Sequence, residues 1–542
     1  MTERVVVYMP RLGHTTGEMP HLRRPPKNWL PGQNLYYLHT ACRNLGYETT
    51  VVDANWHRSP VEATLALAPA VVLISSATPT FSDALAAAAA LQEGGLCGQI
   101  FIGGPHVSLN SDTRQWLLPS MENVTYVPIV ASGSTFHWVP RVFAGRSSLE
   151  VLGLPEGEAK EQLTERIAAR GKTIRPTDEE LHTQLFASFR PTMELMEQTY
   201  HGPHVLPQMR QVPIRYSMIT SIGCDNGCSF CGNPFIYTTA FKSIEVVRQI
   251  VGEFKARGVT RLSLADMHFL MNLPHAQTVM GVLREEGVSF LVQTCLENLT
   301  NKRLAELREA GVQKFLVGIE NPMSEGLDKR VDMKKLYWLL DATRSEGPRV
   351  KLSYIVGLPD VPLRWDLALL RHVARDVAGR GHPLEDLQVN LFTPYRPDPG
   401  VTYLPYEERS GAQGASRASV KVLTRVPFCF WGCFPVGITC ETDFERQMIL
   451  ADLIYLVVYE EFAPVYGELR AAFLEQVHGA YPVLQRYTPS LERSRRVYSG
   501  FCGSATSSAA AGHAGGGSSV SFGLTAHDTK PARPGPTTEI ES

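Results

Sequence analysis

Residues 221–234 read SIGCDNGCSFCGNP, with Cys224, Cys228 and Cys231 in a C-x-x-x-C-x-x-C spacing. Thiolates this close form a soft, negatively charged donor set of the kind that binds zinc or iron–sulfur clusters. Structural zinc closes its shell with four ligands. His268 is the candidate fourth, but it follows another strand and nothing local directs it to the thiolates. A [4Fe–4S] cluster usually takes four cysteines, one per iron. Three leave one iron with an open position, where a substrate or cofactor can bind the metal directly.

A second group, Cys429, Cys433 and Cys440 in FCFWGCFPVGITC, admits an auxiliary cluster or a lone hydrogen- or proton-donating cysteine. Its spacing is not a usual one for a cluster, and cysteines among Phe, Trp and Val behave as small hydrophobes. The aromatics there could equally shield a reactive centre from side reactions. Cys42, Cys97, Cys295 and Cys502 read as structural or incidental.

The elements that must position the cysteine loop alternate strand and helix. IRYSMIT runs into the loop, and RLSLAD (261–266), SFLVQTCL (289–296), KFLVGIE (314–320), VKLSYIVGLP (350–359) and LQVNLFTPY (387–395) follow as strands separated by helical segments. Six such units suit a barrel-like sheet, complete or partial, with its chemistry at the carboxyl ends of the strands. An earlier series has the same character: VVVYMP (5–10), TTVVD (49–53), AVVLISS (70–76), QIFIGGPH (99–106) and VTYVPIV (124–130), with helices through LYYLHTACRNLG and DALAAAAALQEGG. Continuous apolar runs such as AVVLISS suit a parallel sheet covered on both faces. This is a doubly wound α/β pattern, with ligands expected beyond the carboxyl ends of its strands.

The expected organisation is an α/β domain over 1–148, a helical linker over 149–210, the (β/α)6 core over 211–400, a mostly helical C-terminal region over 401–502 and a Gly-, Ser- and Pro-rich disordered tail over 503–542. A net charge of −2 and the lack of a long basic run argue against a nucleic-acid partner. No run of about 18 apolar residues is present, which argues against a membrane span. The start MTERVVVYMP lacks the build of a signal peptide, so a cytoplasmic location is expected.

The cysteine motif, with Phe230 before its last cysteine, resembles that of the radical S-adenosylmethionine (radical SAM) superfamily. The resemblance implies a [4Fe–4S] cluster on Cys224, Cys228 and Cys231 whose open iron chelates S-adenosylmethionine and cleaves it to a 5′-deoxyadenosyl radical. Further likenesses extend over 211–400. ADMHF (265–269) resembles the segment that receives the methionyl amino group, with Asp266 as acceptor; a turn-capping Asp is the plainer alternative. VGIEN (317–321) resembles the fourth-strand motif, so Glu320 and Asn321 would stand near the cofactor, although Asn321 replaces the usual Ser. YIVGLP (354–359) resembles the stretch that packs on adenine, with Gly357 serving a tight backbone passage. FTPYRP (392–397) resembles the end of the sixth strand.

An α/β domain ahead of such a barrel resembles the cobalamin-binding subgroup. The resemblance implies that Ser75, Ser76 and Thr78 bond to the corinoid and that Gly103 and Gly104 let it approach closely; the alternative is that these are ordinary strand-end turn residues. HTTG (14–17) supplies half of the D-x-H-x-x-G motif that provides an axial histidine, but Leu12 stands in the Asp position, leaving His14 either a ligand or a loop residue. Ala131, Ser132, Gly133 and Ser134 replace an acidic turn common in that subgroup.

The implied activity is a cobalamin-dependent C-methyltransferase acting on a small, secondary-metabolite-like substrate in antibiotic biosynthesis, served by an electron donor such as flavodoxin or ferredoxin. The alternative is non-methylating radical chemistry, a diol dehydration or ring rearrangement, with a vestigial cobalamin domain. An RNA-modifying methylthiotransferase would need a cysteine triplet in the N-terminal domain, where only Cys42 and Cys97 occur before residue 200.

Overall fold

The computed structural model of the chain describes residues 3–391 apart from intervening stretches, the longest being 12–31, 108–123, 128–138, 171–178 and 232–238. The shorter gaps include 77–79, 229–230 and 357, and residues 392–542 also lie outside the description. The sequence readings at His14, Thr78, Phe230, Gly357, 131–134, 392–397 and 428–440 therefore fall outside the described residues.

The first sheet has five parallel strands, β1 (Arg4–Met9), β2 (Glu48–Asp53), β3 (Val71–Ser75), β4 (Gln99–Gly103) and β5 (Val124–Val127), in the order β2-β1-β3-β4-β5. The order reverses between β1 and β3, the arrangement of a doubly wound sheet with its crevice at the carboxyl edge. Val6, Val72, Ile74, Ile100 and Ile102 pack against Ala84, Ala88 and Leu91 of the helix Phe81–Glu93. The alanines at i and i+4 let that helix lie close to β-branched strand residues, each worth about 1.5–3 kcal/mol when buried.

The second sheet has six parallel strands, β6 (Tyr216–Met218), β9 (Arg261–Leu264), β10 (Ser289–Cys295), β11 (Val312–Glu320), β12 (Arg349–Val356) and β13 (Leu387–Leu391). Their order is β13-β12-β11-β10-β9-β6, so among the described residues the sheet does not close. A small antiparallel ribbon, β7 (Ser221–Ile222) with β8 (Ala240–Phe241), stands at the end of β6. Phe290 and Val292 of β10 and Phe315, Val317 and Ile319 of β11 are buried beneath the helices, while the residues between them are half-buried or exposed. The strands thus have an outer face sealed by helices and an inner face still open among the described residues.

Helix caps set where each connection on the carboxyl edge ends. Ser243, Asn272, Thr300 and Asp332 accept from the backbone N–H of Val246, His275, Arg303 and Lys334 at the starts of four successive helices. Each cap contributes about 1 kcal/mol and satisfies a donor left free in the first turn.

Between the sheets, helices Ser148–Leu152, Glu158–Arg170, Glu179–Ser188 and Glu194–His201 pack the connecting segment. Gln33 Nε2 donates to the Ser217 carbonyl at 3.0 Å, tying the first helix of the N-terminal part to β6. Tyr200 Oη donates to Asp53 Oδ2 at 2.9 Å. Lys242 is fully buried, donates to the Phe186 and Phe189 carbonyls at 3.2 and 2.8 Å, and faces the rings of Tyr37, Phe186 and Phe189. Burial lowers its pKa to about 7, against the pull of Asp266.

Candidate functional site

The cysteine loop is anchored by its stem. Lys242 N–H donates to the Thr220 carbonyl at 2.8 Å, closing the β7–β8 ribbon. Asp266, at the carboxyl end of β9, accepts from the backbone N–H of Thr220 at 2.6 Å and of Ser221 at 3.1 Å, and its second oxygen takes the Thr220 hydroxyl. Both carboxylate oxygens are therefore occupied by chain entering the loop, and Asp266 acts here as the turn cap. Burial raises its pKa to about 6, with these hydrogen bonds opposing.

Cys224, Cys228 and Cys231 are free thiols, each half-buried, with Cys231 N–H donating to the Cys228 carbonyl at 3.0 Å. Burial raises the Cys224 thiol pKa and pushes that of Cys228 up to about 11, while Lys329 opposes both shifts. A partly desolvated trio of thiols beside one cation favours a metal centre that holds them as thiolates.

Lys329 was not singled out from the sequence. Its Nζ bonds to Glu320 Oε1 at 2.9 Å, with both side chains largely buried. Burial is the largest single influence and works against the lysine charge, but Glu320, Cys295 and Glu297 together hold Lys329 above its ordinary value. Burial raises Glu320 in turn, with Lys329 opposing. Glu320 sits at the end of β11, where the register with β12 shifts between Gly318 and Glu320 and its own φ is +46°. That bulge redirects the strand end and holds a non-glycine residue in the left-handed region. A Cβ on Gly318 would lie 2.1 Å from Glu320 Oε1 and 2.9 Å from Lys329 Nζ. The glycine of the GIE motif thus makes room for the ion pair.

Asn321 is buried and points elsewhere. Its Nδ2 donates to the Ile355 carbonyl at 3.0 Å and Asp366 Oδ1 at 2.8 Å, and its Oδ1 accepts from Met323 N–H at 3.1 Å. It ties β11 to β12 and to the helix Leu363–Gly379.

Two further residues join the loop through sheet adjacency. Cys295 ends β10, is buried, and receives Asn226 Nδ2 at 2.9 Å. Of the two readings of Cys295, structural or incidental, this hydrogen bond favours the structural one, since it places the residue against the loop. His268 follows β9, which pairs with β6, so the chain after β9 runs beside the loop that follows β6. A ring nitrogen of His268, the Cys224 sulfur and a carboxylate oxygen of Asp225 lie within 4.8 Å of one another. Sheet pairing therefore supplies the direction that no local sequence signal gave. Burial lowers the His268 pKa, with Asp225 opposing and Lys329 adding to the fall.

At the carboxyl edge of the first sheet, Ser75 and Ser76 are buried. Ser75 Oγ accepts from Asn34 Nδ2, whereas Ser76 Oγ has no hydrogen-bond partner. Gly103 ends β4, and its carbonyl accepts from Ser76 N–H at 2.7 Å. Gly104 has φ +111°, and a Cβ there would lie 2.2 Å from the Ser76 carbonyl oxygen. Its need for glycine is thus met by the neighbouring strand, whatever ligand lies beyond. The acids at this edge have protein partners: Asp53 accepts from Asn55 and Tyr200, and Asp83 from Arg11 N–H at 2.6 Å.

The residues present fit the implied groups. The loop offers three free thiols and an adjoining buried imidazole without a partner, and the first sheet offers the orphaned Ser76 hydroxyl. The radical SAM superfamily model matches residues 218–370, and the B12 binding domain model matches residues 26–116. The chain thus carries a radical SAM domain preceded by a B12-binding domain, and the cofactors of that pair of domains are a [4Fe–4S] cluster, S-adenosylmethionine and cobalamin.

Among solved structures, it is similar to two of the radical S-adenosylmethionine methyltransferase TsrM from Kitasatospora setae. One holds cobalamin and a [4Fe–4S] cluster, at 14% identity over 72% of this chain and 75% of that one, with a TM-score of 0.48. The other holds tryptophan and a SAM analogue, at 14% identity over 72% and 73%, with a TM-score of 0.49. No curated protein matches the chain. Among the described residues no helix is long and apolar enough to cross a membrane.

Proposed function

We propose that the chain is a cobalamin-dependent methyltransferase acting on an unactivated carbon of a small molecule. The observation that carries this reading is the pairing, within one compact unit, of a B12-binding domain and a three-cysteine loop at the carboxyl edge of the second sheet. When bound, the cluster and S-adenosylmethionine supply the 5′-deoxyadenosyl radical, and cobalamin carries the methyl group.

In this reading Cys224, Cys228 and Cys231 hold the cluster, and Asp266 fixes the chain that presents them. Glu320 and Lys329 face the same edge as a charged pair able to orient polar groups of S-adenosylmethionine, and the YIVGLP motif assigns Gly357 to the cofactor as well. Asn321 keeps that edge in register rather than touching the cofactor. Ser76 hydrogen-bonds cobalamin, with Ser75, Gly103 and Gly104 shaping the rim, and the sequence motif adds Thr78 to the set. We assign 1–148 to the cobalamin domain, 149–210 to the linker, 211–400 to the radical core, and 401–502 and 503–542 to a C-terminal region and tail. A flavodoxin- or ferredoxin-like donor in the cytoplasm and a substrate from antibiotic or related secondary metabolism complete the proposal.

The test is anaerobic reconstitution with iron, sulfide and hydroxocobalamin, followed by incubation with labelled S-adenosylmethionine and candidate small molecules. Retained corinoid absorbance, deoxyadenosine, S-adenosylhomocysteine and a C-methylated product are expected together. Deoxyadenosine formation with no retained corinoid would replace methyl transfer with non-methylating radical chemistry.

A further inference from the structure

His268 is 3% exposed, and neither ring nitrogen has a hydrogen-bond partner. Its Nδ1 stands 3.8 Å from Asp225 Oδ1, outside hydrogen-bond reach. A buried polar group left unsatisfied costs about 1–3 kcal/mol, so an imidazole kept in this place implies a partner whose accepting power the metal-free chain does not supply. The Asp225 carboxylate is nearer but 61% exposed and left to solvent; the Cys224 sulfur, within 4.8 Å of the ring, is an atom here whose accepting power metal binding would change. As a thiol it is a weak acceptor; as a thiolate on iron it carries charge and accepts readily. An iron bound by Cys224 already has four ligands, three cluster sulfides and the thiolate. An imidazole beside that sulfur has no metal valence to fill, and an N–H···S bond is what remains to it.

We propose that His268 donates a ring N–H to the Cys224 sulfur of the assembled cluster and thereby raises the potential at which the cluster accepts an electron. The inference rests on the three-cysteine cluster of the proposed function. It makes His268 a positioning residue, acting on the reaction only through Cys224. Hydrogen bonds to cluster sulfurs stabilise the more negative, reduced state, and partners of metal ligands tune a site in this way.

The test uses the full chain reconstituted anaerobically with iron and sulfide, without substrate. Iron per chain is measured together with the midpoint of the cluster by EPR-monitored redox titration and the exchangeable-proton couplings by pulsed EPR in H2O and D2O. H268A should retain the parental iron content, show a lower midpoint and lose one exchangeable-proton coupling. H268N or H268Q, whose amides can replace one ring N–H or the other, should recover the coupling and much of the midpoint.

An unchanged midpoint and unchanged couplings in H268A would overturn the inference while leaving the cluster reading intact. A strong nitrogen coupling in protein carrying 15N-histidine would also overturn it, by making His268 an iron ligand. Parent protein that loads no cluster would refute the cluster reading itself, and this inference with it. If H268A fails to fold, H268N and H268Q decide the matter by whether the proton coupling is present.

Discussion

The carboxyl edges of the two parallel sheets solve different problems with similar backbones. At the first edge, buried acids are satisfied by the protein: Asp53 by Asn55 and Tyr200, Asp83 by Arg11. Among the described residues, what remains for a ligand there is a neutral hydroxyl on Ser76 beside closely packed strand ends. At the second edge, polar groups are left short of partners or bound in charged pairs. Three thiols, the His268 imidazole and the Glu320–Lys329 pair converge where β6, β9, β10 and β11 end. The difference is that between a cradle and a reaction site. A neutral rim holds a large cofactor by shape and hydrogen bonds, whereas soft donors beside buried charges stabilise a metal and move electrons.

The sharpest way to break this contrast is Cys228→Ala. Iron loading and S-adenosylmethionine cleavage should fall to background while corinoid retention stays at the parental level, read by iron assay and corinoid absorbance on the same preparation. Loss of both cofactors together would mean that the two edges are not separable. Lys329→Met should be next in size. It strands Glu320 in a buried site, so urea unfolding should show a loss of about 3 kcal/mol. A cost under about 1 kcal/mol, as for an exposed pair, would show that the second edge is wetter than described.

Asp83 sharpens the comparison from the other side. Burial raises its folded pKa to about 6, above 3.8 for the free side chain, with the Arg11 hydrogen bond and charge opposing. Its contribution is therefore greatest below about pH 4, is lost as pH rises through 6 and is constant above. Asp83→Asn should flatten this part of the stability–pH curve by about 2 kcal/mol between pH 4 and 7. A variant curve with the parental slope would remove the desolvated acid from the first edge. The smallest effect belongs to Ser76→Ala, which deletes one neutral hydrogen bond. Cobalamin affinity should weaken by about fivefold, near 1 kcal/mol, with iron content unchanged. An unchanged affinity would detach Ser76 from the ligand.

Much of the fold was legible because parallel strands are short apolar runs bounded by turn residues, and the runs at 49–53, 70–76, 261–266, 289–296 and 314–320 all lie on observed strands. The cysteine loop was legible because its three cysteines are local in sequence. His268 and Cys295 were not, because their placement depends on which strands neighbour β6 and β9, a long-range fact no spacing encodes. Lys329 escaped notice in an irregular segment, where only the fold brings it onto Glu320. Asp266 was read with two alternatives, and its hydrogen bonds to the backbone of Thr220 and Ser221 supply the capping geometry of one of them. The bulge at Glu320 has no sequence signature beyond the preceding glycine, whose purpose becomes clear only with the ion pair in place.

The most direct measurement of the central claim is EPR of the reduced, reconstituted full-length protein before and after S-adenosylmethionine is added. A four-iron cluster held by three sulfurs has an open iron, so its signal should change shape on addition and deoxyadenosine should accumulate. A four-iron signal indifferent to S-adenosylmethionine, with no deoxyadenosine formed, would contradict the account.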